Sequence, residues 1–303
     1  MSYEYIQNKI KNNEIVLLDG GTGTEIEKQG VTMNDLAWCG IAHMEQPDVV
    51  VQVHESYIRA GSNVIIANTF ATAPHILEHM GLANQTEKIN TDAVKLALQA
   101  RENSGEDVCV AASMSSAPAF DATRLPVEEK YRESYMREAE ILAAAGAELI
   151  VTEMMMDIQN ASMVIQAANT VGLPVWLGMS ASVDEQGEVF NYEDSDIWER
   201  ENMKFHDMAD SLIEIGCDAA GIMHSSVTAV VPGLEELKKL YDGPTFAYAE
   251  SGHFVSPSWK FEKVISPNAY LDYARQWVGA GVNMIGGCCG IGPEHIAMLR
   301  DNL

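Results

Sequence analysis

The sequence predicts an α/β protein in which eight strand–helix units close into a single (β/α)8 TIM barrel. Short apolar or β-branched runs alternate with longer amphipathic stretches along the chain. The alternation repeats eight times, which is the number of parallel strands that closes such a barrel. Three of the predicted connections from a helix to the next strand contain a glycine, which is the residue that most readily ends a helix. These glycines are Gly61, Gly146 and Gly281. An open, doubly wound sheet is the structural alternative, which the missing GxGxxG turn after the first strand disfavours.

The predicted strands are short and end in small or polar residues. They are Ile15–Asp19, Asn63–Asn68, Val108–Ser113, Glu148–Glu153, Val175–Ser180, Cys217–His224, Pro244–Ala249 and Val282–Gly286. The helix predicted after each has an apolar stripe, and several begin next to a proline. These helices are Asp48–Ala60, Gln85–Asn103, Val127–Ala145, Asp157–Thr170, Asn202–Ile215, Val227–Tyr241, Ser266–Gly279 and Pro293–Leu303. Three irregular insertions follow strands, at Glu25–Gln46, Ser180–Glu201 and Glu250–Val264, and we expect them at the catalytic face.

The composition of the chain indicates which binding partners and which cellular compartment to expect. The 303 residues are expected to form one domain, 1–303, and their net charge of −25 argues against nucleic acid or an anionic membrane as a partner. No apolar leader or membrane-spanning run is present. The chain has five cysteines, an odd number, and two of them are adjacent. This number and spacing argue against a framework of structural disulfides. We expect a cytoplasmic protein, and the sequence leaves open whether it forms a homo-oligomer.

The ends of the predicted strands carry the chemistry-bearing residues. In a barrel these positions line the mouth. The glycine-flanked pair Cys288 and Cys289 follows the last strand, and adjacent thiols favour a soft metal such as zinc. A catalytic zinc site needs a third protein ligand, and His224 at the end of the sixth strand is the natural candidate. We therefore predict a Zn²⁺ site of His224, Cys288 and Cys289.

Five motifs make the chain resemble the homocysteine S-methyltransferase family from Leu17 to Leu299. They are Asp19-Gly20-Gly21 with Gly23-Thr24, His54-x-x-Tyr57-x-x-Ala60-Gly61, Asn68-Thr69-Phe70, Thr152-Glu153-Met154, and Gly286-Gly287-Cys288-Cys289-Gly290 with Pro293 and His295. The resemblance implies a zinc-dependent barrel that binds homocysteine as a thiolate and methylates it from a small cationic donor, forming methionine. It also implies that Asp19, Gly20, Gly21 and Glu153 hold the amino acid end of homocysteine.

The predicted site residues fall into two groups. The catalytic residues are expected to be His224, Cys288, Cys289 and Glu153. The substrate-binding residues are expected to be Asp19, Gly20, Gly21, Asn68, Thr69, Ser113, Glu153, Tyr248 and Glu250. Aromatic rings near the mouth are candidates for caging a cationic donor. These rings belong to Trp38, Tyr192, Trp198, Tyr248 and Trp259.

Three positions depart from the family pattern. Met223-His224 stands where the family has Asn-Cys, Ala249-Glu250 where it has Pro-Asn, and the Ala112–Ser116 segment lacks the usual Gly-Pro turn. A carboxylate at Glu250 suits a cationic head group. With these departures, three hypotheses about the function stay open: a methyltransferase, a related metal-dependent barrel enzyme with altered substrate or chemistry, and a binding protein without catalysis. The donor, the acceptor and any lid motion are also left open.

Overall fold

The barrel has eight parallel strands. In the computed structural model, which describes residues 2–34, 36–116, 128–191, 202–255 and 260–303, the sheet order is β1-β12-β9-β8-β5-β4-β3-β2. These strands are β1 Val16–Leu17, β2 Val64–Ala67, β3 Cys109–Ser115, β4 Leu149–Met155, β5 Val175–Met179, β8 Ala219–Ser226, β9 Thr245–Glu250 and β12 Met284–Ile285. A parallel bridge between Leu18 and Val64 joins β1 to β2 and closes the ring. The predicted fold class is confirmed, and each strand lies where the sequence indicates.

Helices surround the barrel. They are α1 Ser2–Lys11, α2 Thr22–Lys28, α3 Pro47–Ala60, α4 Pro74–His79, α5 Thr86–Ser104, α6 Glu128–Ala145, α7 Ile158–Asn169, α8 Phe205–Ile213, α9 Val230–Leu237, α10 Pro267–Gly279 and α11 Pro293–Asn302. All eight predicted helices are present. Side chains of Asp157 and Ser266 cap α7 and α10 by accepting the Asn160 and Ala269 amides. Among the described residues, no helix has the length and apolar character to cross a membrane.

The insertions are more regular than predicted. Helix α2 begins at Thr22 and runs into the segment expected to be irregular after the first strand, covering its residues 25–28. Two antiparallel hairpins occupy the others, β6 Ser182–Val183 with β7 Val189–Phe190, and β10 His253–Val255 with β11 Lys260–Glu262. The expectation of irregular structure is wrong there because two- and three-residue strands are too short to show a period of two in the sequence.

The N-terminal helix, which the sequence analysis did not predict, closes the barrel floor. The helix is polar overall, yet Ile6 is fully buried with the residues inside the barrel. Tyr3 packs on Trp176, and the indole Nε1 of Trp176 donates to the Tyr3 hydroxyl over 3.2 Å. Above this floor the strands fill the interior with side chains such as Met284, Leu149 and Phe246. The carboxyl end of the barrel is therefore the end left for a site.

Candidate metal centre and substrate pocket

The glycine–cysteine loop after β12 is held by neighbouring strand ends. Its backbone is tied at Cys288, whose amide donates to the Ala249 carbonyl over 2.9 Å, and at Cys289, whose carbonyl accepts from the Ser251 amide over 3.0 Å. Gly290 has φ +80°, and a Cβ there would lie 2.1 Å from the Ser251 carbonyl oxygen. Only glycine fits this turn, which aligns the cysteines with the end of β9.

Glycines after β1 allow the first strand end to approach the same loop. A Cβ on Gly20 would lie 2.2 Å from the Ile291 carbonyl oxygen, and one on Gly21 would lie 2.8 Å from that of Cys288. The Gly287 amide donates to the Asp19 carbonyl over 2.9 Å. Gly20 and Gly21 thus contribute close backbone packing, which brings the Asp-Gly-Gly motif beside the cysteines.

Three side chains form the candidate metal centre. One ligand atom each of His224, Glu250 and Cys288 lies within 4.8 Å of the other two. The Nδ1 of His224 is 2.7 Å from Oε2 of Glu250. Cys288 hydrogen-bonds with both His224 and the neighbouring thiol of Cys289. The structure therefore brings two of the three predicted ligands, His224 and Cys288, together with Glu250, which sequence analysis assigned to substrate binding. The third predicted ligand, Cys289, lies outside this group of three and contacts it through Cys288.

Charge in this cluster changes the protonation of its members. Burial opposes the charged form of His224, but the Glu250 carboxylate and hydrogen bonds with Cys288 and Glu250 raise its pKa to about 10. Burial likewise opposes ionisation of Glu250, whose pKa the His224 charge nevertheless lowers. The hydrogen bond with Cys289, and then burial, raise the pKa of the Cys288 thiol. A metal ion binding here must displace a proton from Cys288.

His224 adopts an unusual backbone conformation. Its φ of +44° lies in the left-handed region, and the pairing of β8 with β9 shifts register between Met223 and Ser226. A bulge of this kind re-aims a side chain at the end of a strand. The strained backbone thus turns the imidazole towards the cysteine loop.

A buried carboxylate lies at the end of β4. Glu153 is 9% exposed and accepts hydrogen bonds from the Tyr248 hydroxyl, 2.8 Å away, and from the Ser113 hydroxyl. Burial raises the pKa of Glu153, while these two hydrogen bonds and the charge on His224 act in the opposite direction. The structure therefore joins three predicted substrate-binding residues, Glu153, Ser113 and Tyr248, into one unit.

The other polar residues predicted to bind substrate form hydrogen bonds with backbone groups of the protein. Asp19 is 2% exposed, its Oδ2 accepts the Ile66 amide over 2.8 Å, and burial raises its pKa. Asn68 exchanges two hydrogen bonds with Cys39, at 2.7 Å to its carbonyl and 2.8 Å from its thiol. Thr69 donates to the Ser113 carbonyl over 2.8 Å. The described side-chain contacts of Asn68 and Thr69 are therefore with protein groups that shape the mouth.

Some contacts at the mouth were not anticipated from the sequence. Trp38 stacks on Phe70 with ring centroids 4.8 Å apart. The hydroxyls of Tyr57 and Tyr270 donate to the carbonyls of Ile291 and Gly286, over 3.0 and 2.6 Å, and so hold the cysteine loop from behind. The motif containing Tyr57 was the available signal for this support. Tyr192, Trp198 and Trp259 lie outside the described residues.

Comparison with known families decides the membership of the chain. Residues 16–303 match the family model described as homocysteine S-methyltransferase. The chain belongs to this family. Maize homocysteine S-methyltransferase 2 is 26% identical over 95% of this chain and 89% of the maize protein. Zebrafish betaine–homocysteine S-methyltransferase 1 is 25% identical over 98% of this chain and 75% of its own.

A solved structure confirms the fold of this family member. The metallated form of the homocysteine methyltransferase MmuM from Escherichia coli superimposes with a TM-score of 0.78 at 23% identity, covering 98% of this chain and 99% of MmuM. By its match to the family model, the protein is a methyltransferase of the homocysteine S-methyltransferase family. The cluster offers an imidazole from His224, a carboxylate from Glu250 and a thiol from Cys288, with Cys289 hydrogen-bonded to Cys288, and zinc accepts all of these donor types. The site residues therefore fit a soft divalent metal.

Proposed function

We propose that the protein is a zinc-dependent S-methyltransferase that moves a methyl group from a small sulfonium or quaternary ammonium donor to the thiol of homocysteine or a related thiol. With homocysteine the product is methionine. The observation that carries the proposal is the cluster of His224, Glu250 and Cys288 within 4.8 Å at the carboxyl end of the barrel. Family membership supports methyl transfer as the reaction.

His224, Cys288 and Cys289 would hold the metal and leave one position for the acceptor sulfur. When bound, zinc lowers the pKa of a coordinated thiol, so that the thiolate is available at neutral pH. The thiol proton leaves to solvent. The carbon–sulfur bond of the product forms as the bond between methyl and donor breaks, and the donor departs with one positive charge fewer than it brought.

Glu153 would bind the α-ammonium of the acceptor. A buried carboxylate needs a charged or hydrogen-bonding partner, and an ammonium supplies both. The hydroxyls of Ser113 and Tyr248 fix the Glu153 carboxylate from two sides, so it is already oriented before substrate arrives. Asp19 and the Gly20–Gly21 backbone would complete this end of the pocket, while Asn68 and Thr69 shape its wall.

A cationic donor would meet aromatic and acidic surroundings. The Trp38–Phe70 stack belongs to the same group of packed side chains as Cys288, on the mouth side of the barrel interior. Aromatic faces attract methylated cations, and the net charge of −25 acts in the same direction. Tyr248 is fully engaged with Glu153, so its ring contributes more to acceptor binding than to a donor cage.

The test combines an activity measurement with metal analysis. The purified protein is incubated with homocysteine and a panel of methylsulfonium and betaine-type donors, and methionine is measured. We expect turnover with at least one donor and about one zinc per chain, and loss of both in His224→Ala. The control is His206→Ala, which removes an exposed histidine paired with Glu236. Equal zinc content in His224→Ala and the parent would contradict the proposed ligand set.

The His224–Glu250 contact also supports a second candidate, a metal-dependent reaction other than methyl transfer to homocysteine. An imidazole ligand with a carboxylate partner is suited to activating a metal-bound water as well as a thiol. A protein that binds zinc but forms no methylated product with any donor would favour this alternative.

A further inference from the structure

The contact between His224 and Glu250 is a close ion pair, and its two atoms are nearer to each other than two ligands of one metal would be. Two ligand atoms at about 2.0–2.1 Å from a tetrahedral zinc are about 3.3 Å apart. The Nδ1 of His224 and Oε2 of Glu250 are 2.7 Å apart, which is the distance of a charge-assisted N–H···O bond. Nδ1 is the ring nitrogen that faces the Glu250 carboxylate, and a proton held there leaves the other ring nitrogen, Nε2, without one in neutral imidazole.

Glu250 is well placed to orient the ring. It is the last residue of β9, and its backbone is paired with Ser226 beyond the bulge that contains His224. The His224 and Glu250 side chains are only 17% and 31% exposed. Because Glu250 stands on a paired strand and not on a loop, the sheet holds its carboxylate in place beside His224.

We infer that Glu250 is a positioning residue for the metal site, holding His224 by Nδ1 so that Nε2 faces the metal beside Cys288 and Cys289. The inference rests on the proposed function. It gives Glu250 a role other than the cationic head group expected from the sequence, since Oε2 is committed to His224. A cysteine at this position would need no such partner, because a thiolate binds a metal through its one sulfur atom and has no ring or tautomer to fix.

The test measures metal affinity and ligand geometry separately from activity. Zn²⁺ affinity is measured by chelator competition, and Co²⁺ absorption spectra are recorded at saturation, for the parent, Glu250→Gln and Glu250→Ala. The matched control is Glu185→Gln, an exposed carboxylate in the β6–β7 hairpin on the same face. Circular dichroism and melting temperature of the metal-free proteins check that each variant is folded.

We expect Glu250→Ala to bind Zn²⁺ about 10- to 100-fold more weakly, as is common when the carboxylate partner of a metal-bound histidine is removed. Glu250→Gln, whose amide oxygen still accepts from Nδ1–H, should lose less than Glu250→Ala. At saturation the Co²⁺ spectra of both variants should match the parent, because the ligand set is unchanged.

Two results would overturn the inference. Unchanged affinity in Glu250→Ala would show that Glu250 does not position the ligand. A changed Co²⁺ spectrum at saturation would show that Glu250 is itself a ligand. Failure of the proposed function is distinguishable from both, since it would appear as a parent protein that binds zinc, loses affinity on Glu250→Ala and yet methylates no thiol.

Discussion

Replacing Glu153 with glutamine tests the acceptor pocket most directly. The change removes one negative charge and keeps the shape of the side chain. Its amide can still accept from the Tyr248 hydroxyl, and its NH₂ group can donate to Ser113, so the framework around it stays intact. What is lost is the charge-assisted bond to the substrate ammonium. A hydrogen bond to a charged group contributes about 1.5–3 kcal/mol, which corresponds to a factor of about 10 to 150 in binding.

We therefore expect the KM for homocysteine to rise about 10- to 150-fold in Glu153→Gln, with kcat changed much less. Steady-state kinetics with the donor held at saturation measure both parameters. Zinc content and melting temperature should stay at the parent values, because Glu153 is assigned to the substrate and not to the metal. A KM within twofold of the parent would refute the assignment of Glu153 to the ammonium, and a matching loss of zinc would show that its role is structural.

Three further predictions concern stability and metal binding. Among the described residues, neither carboxylate oxygen of the fully buried Glu138 has a hydrogen-bond partner, and burial raises the pKa of this group well above the ordinary 4.5. Folding therefore favours its protonated form, so its contribution to stability is complete below pH 4.5 and is lost as pH rises towards its folded pKa. Within that window Glu138→Gln should gain about 1.4 kcal/mol per pH unit over the parent in denaturant unfolding, whereas exposed Glu133→Gln should show no such trend. Gly290→Ala, which forces a clash with the Ser251 carbonyl, should lower zinc content several-fold, whereas Gly187→Ala, at φ +83° in open space, should not. Chelation should lower the melting temperature by about 5 °C, reversed by added zinc, and an unchanged melting temperature would count against metal binding to the folded state.

The strand ends could be predicted from the sequence because a closed parallel barrel places them all at one mouth. That rule was enough to group Glu153, His224 and the two cysteines before any coordinates were considered. The glycine-flanked cysteines were also a local signal, since their turn depends on one residue, Gly290, with no tolerated side chain.

Contacts between distant segments could not be predicted in the same way. Glu250 and His224 are 26 positions apart, and whether they touch depends on the register shift between β8 and β9. Helix α1 was missed for a related reason. Its composition is polar overall, and its apolar stripe is short: Tyr3, Ile6 and Ile10 lie on one face and pack against the residues inside the barrel.

Two backbone irregularities lie next to Glu153 and His224 and connect the two strand ends that carry them. The β4–β5 pairing shifts register between Thr152 and Met155, just as β8–β9 does beside His224, and Met154 has a φ of +56°. The Met154 amide donates to the Met223 sulfur over 3.0 Å. Because Met154 follows Glu153 and Met223 precedes His224, this contact ties the strand end that carries Glu153 to the one that carries His224. In the proposed function, the distance between the carboxylate assigned to the acceptor and the histidine assigned to the metal would therefore be set by packed backbone inside the barrel.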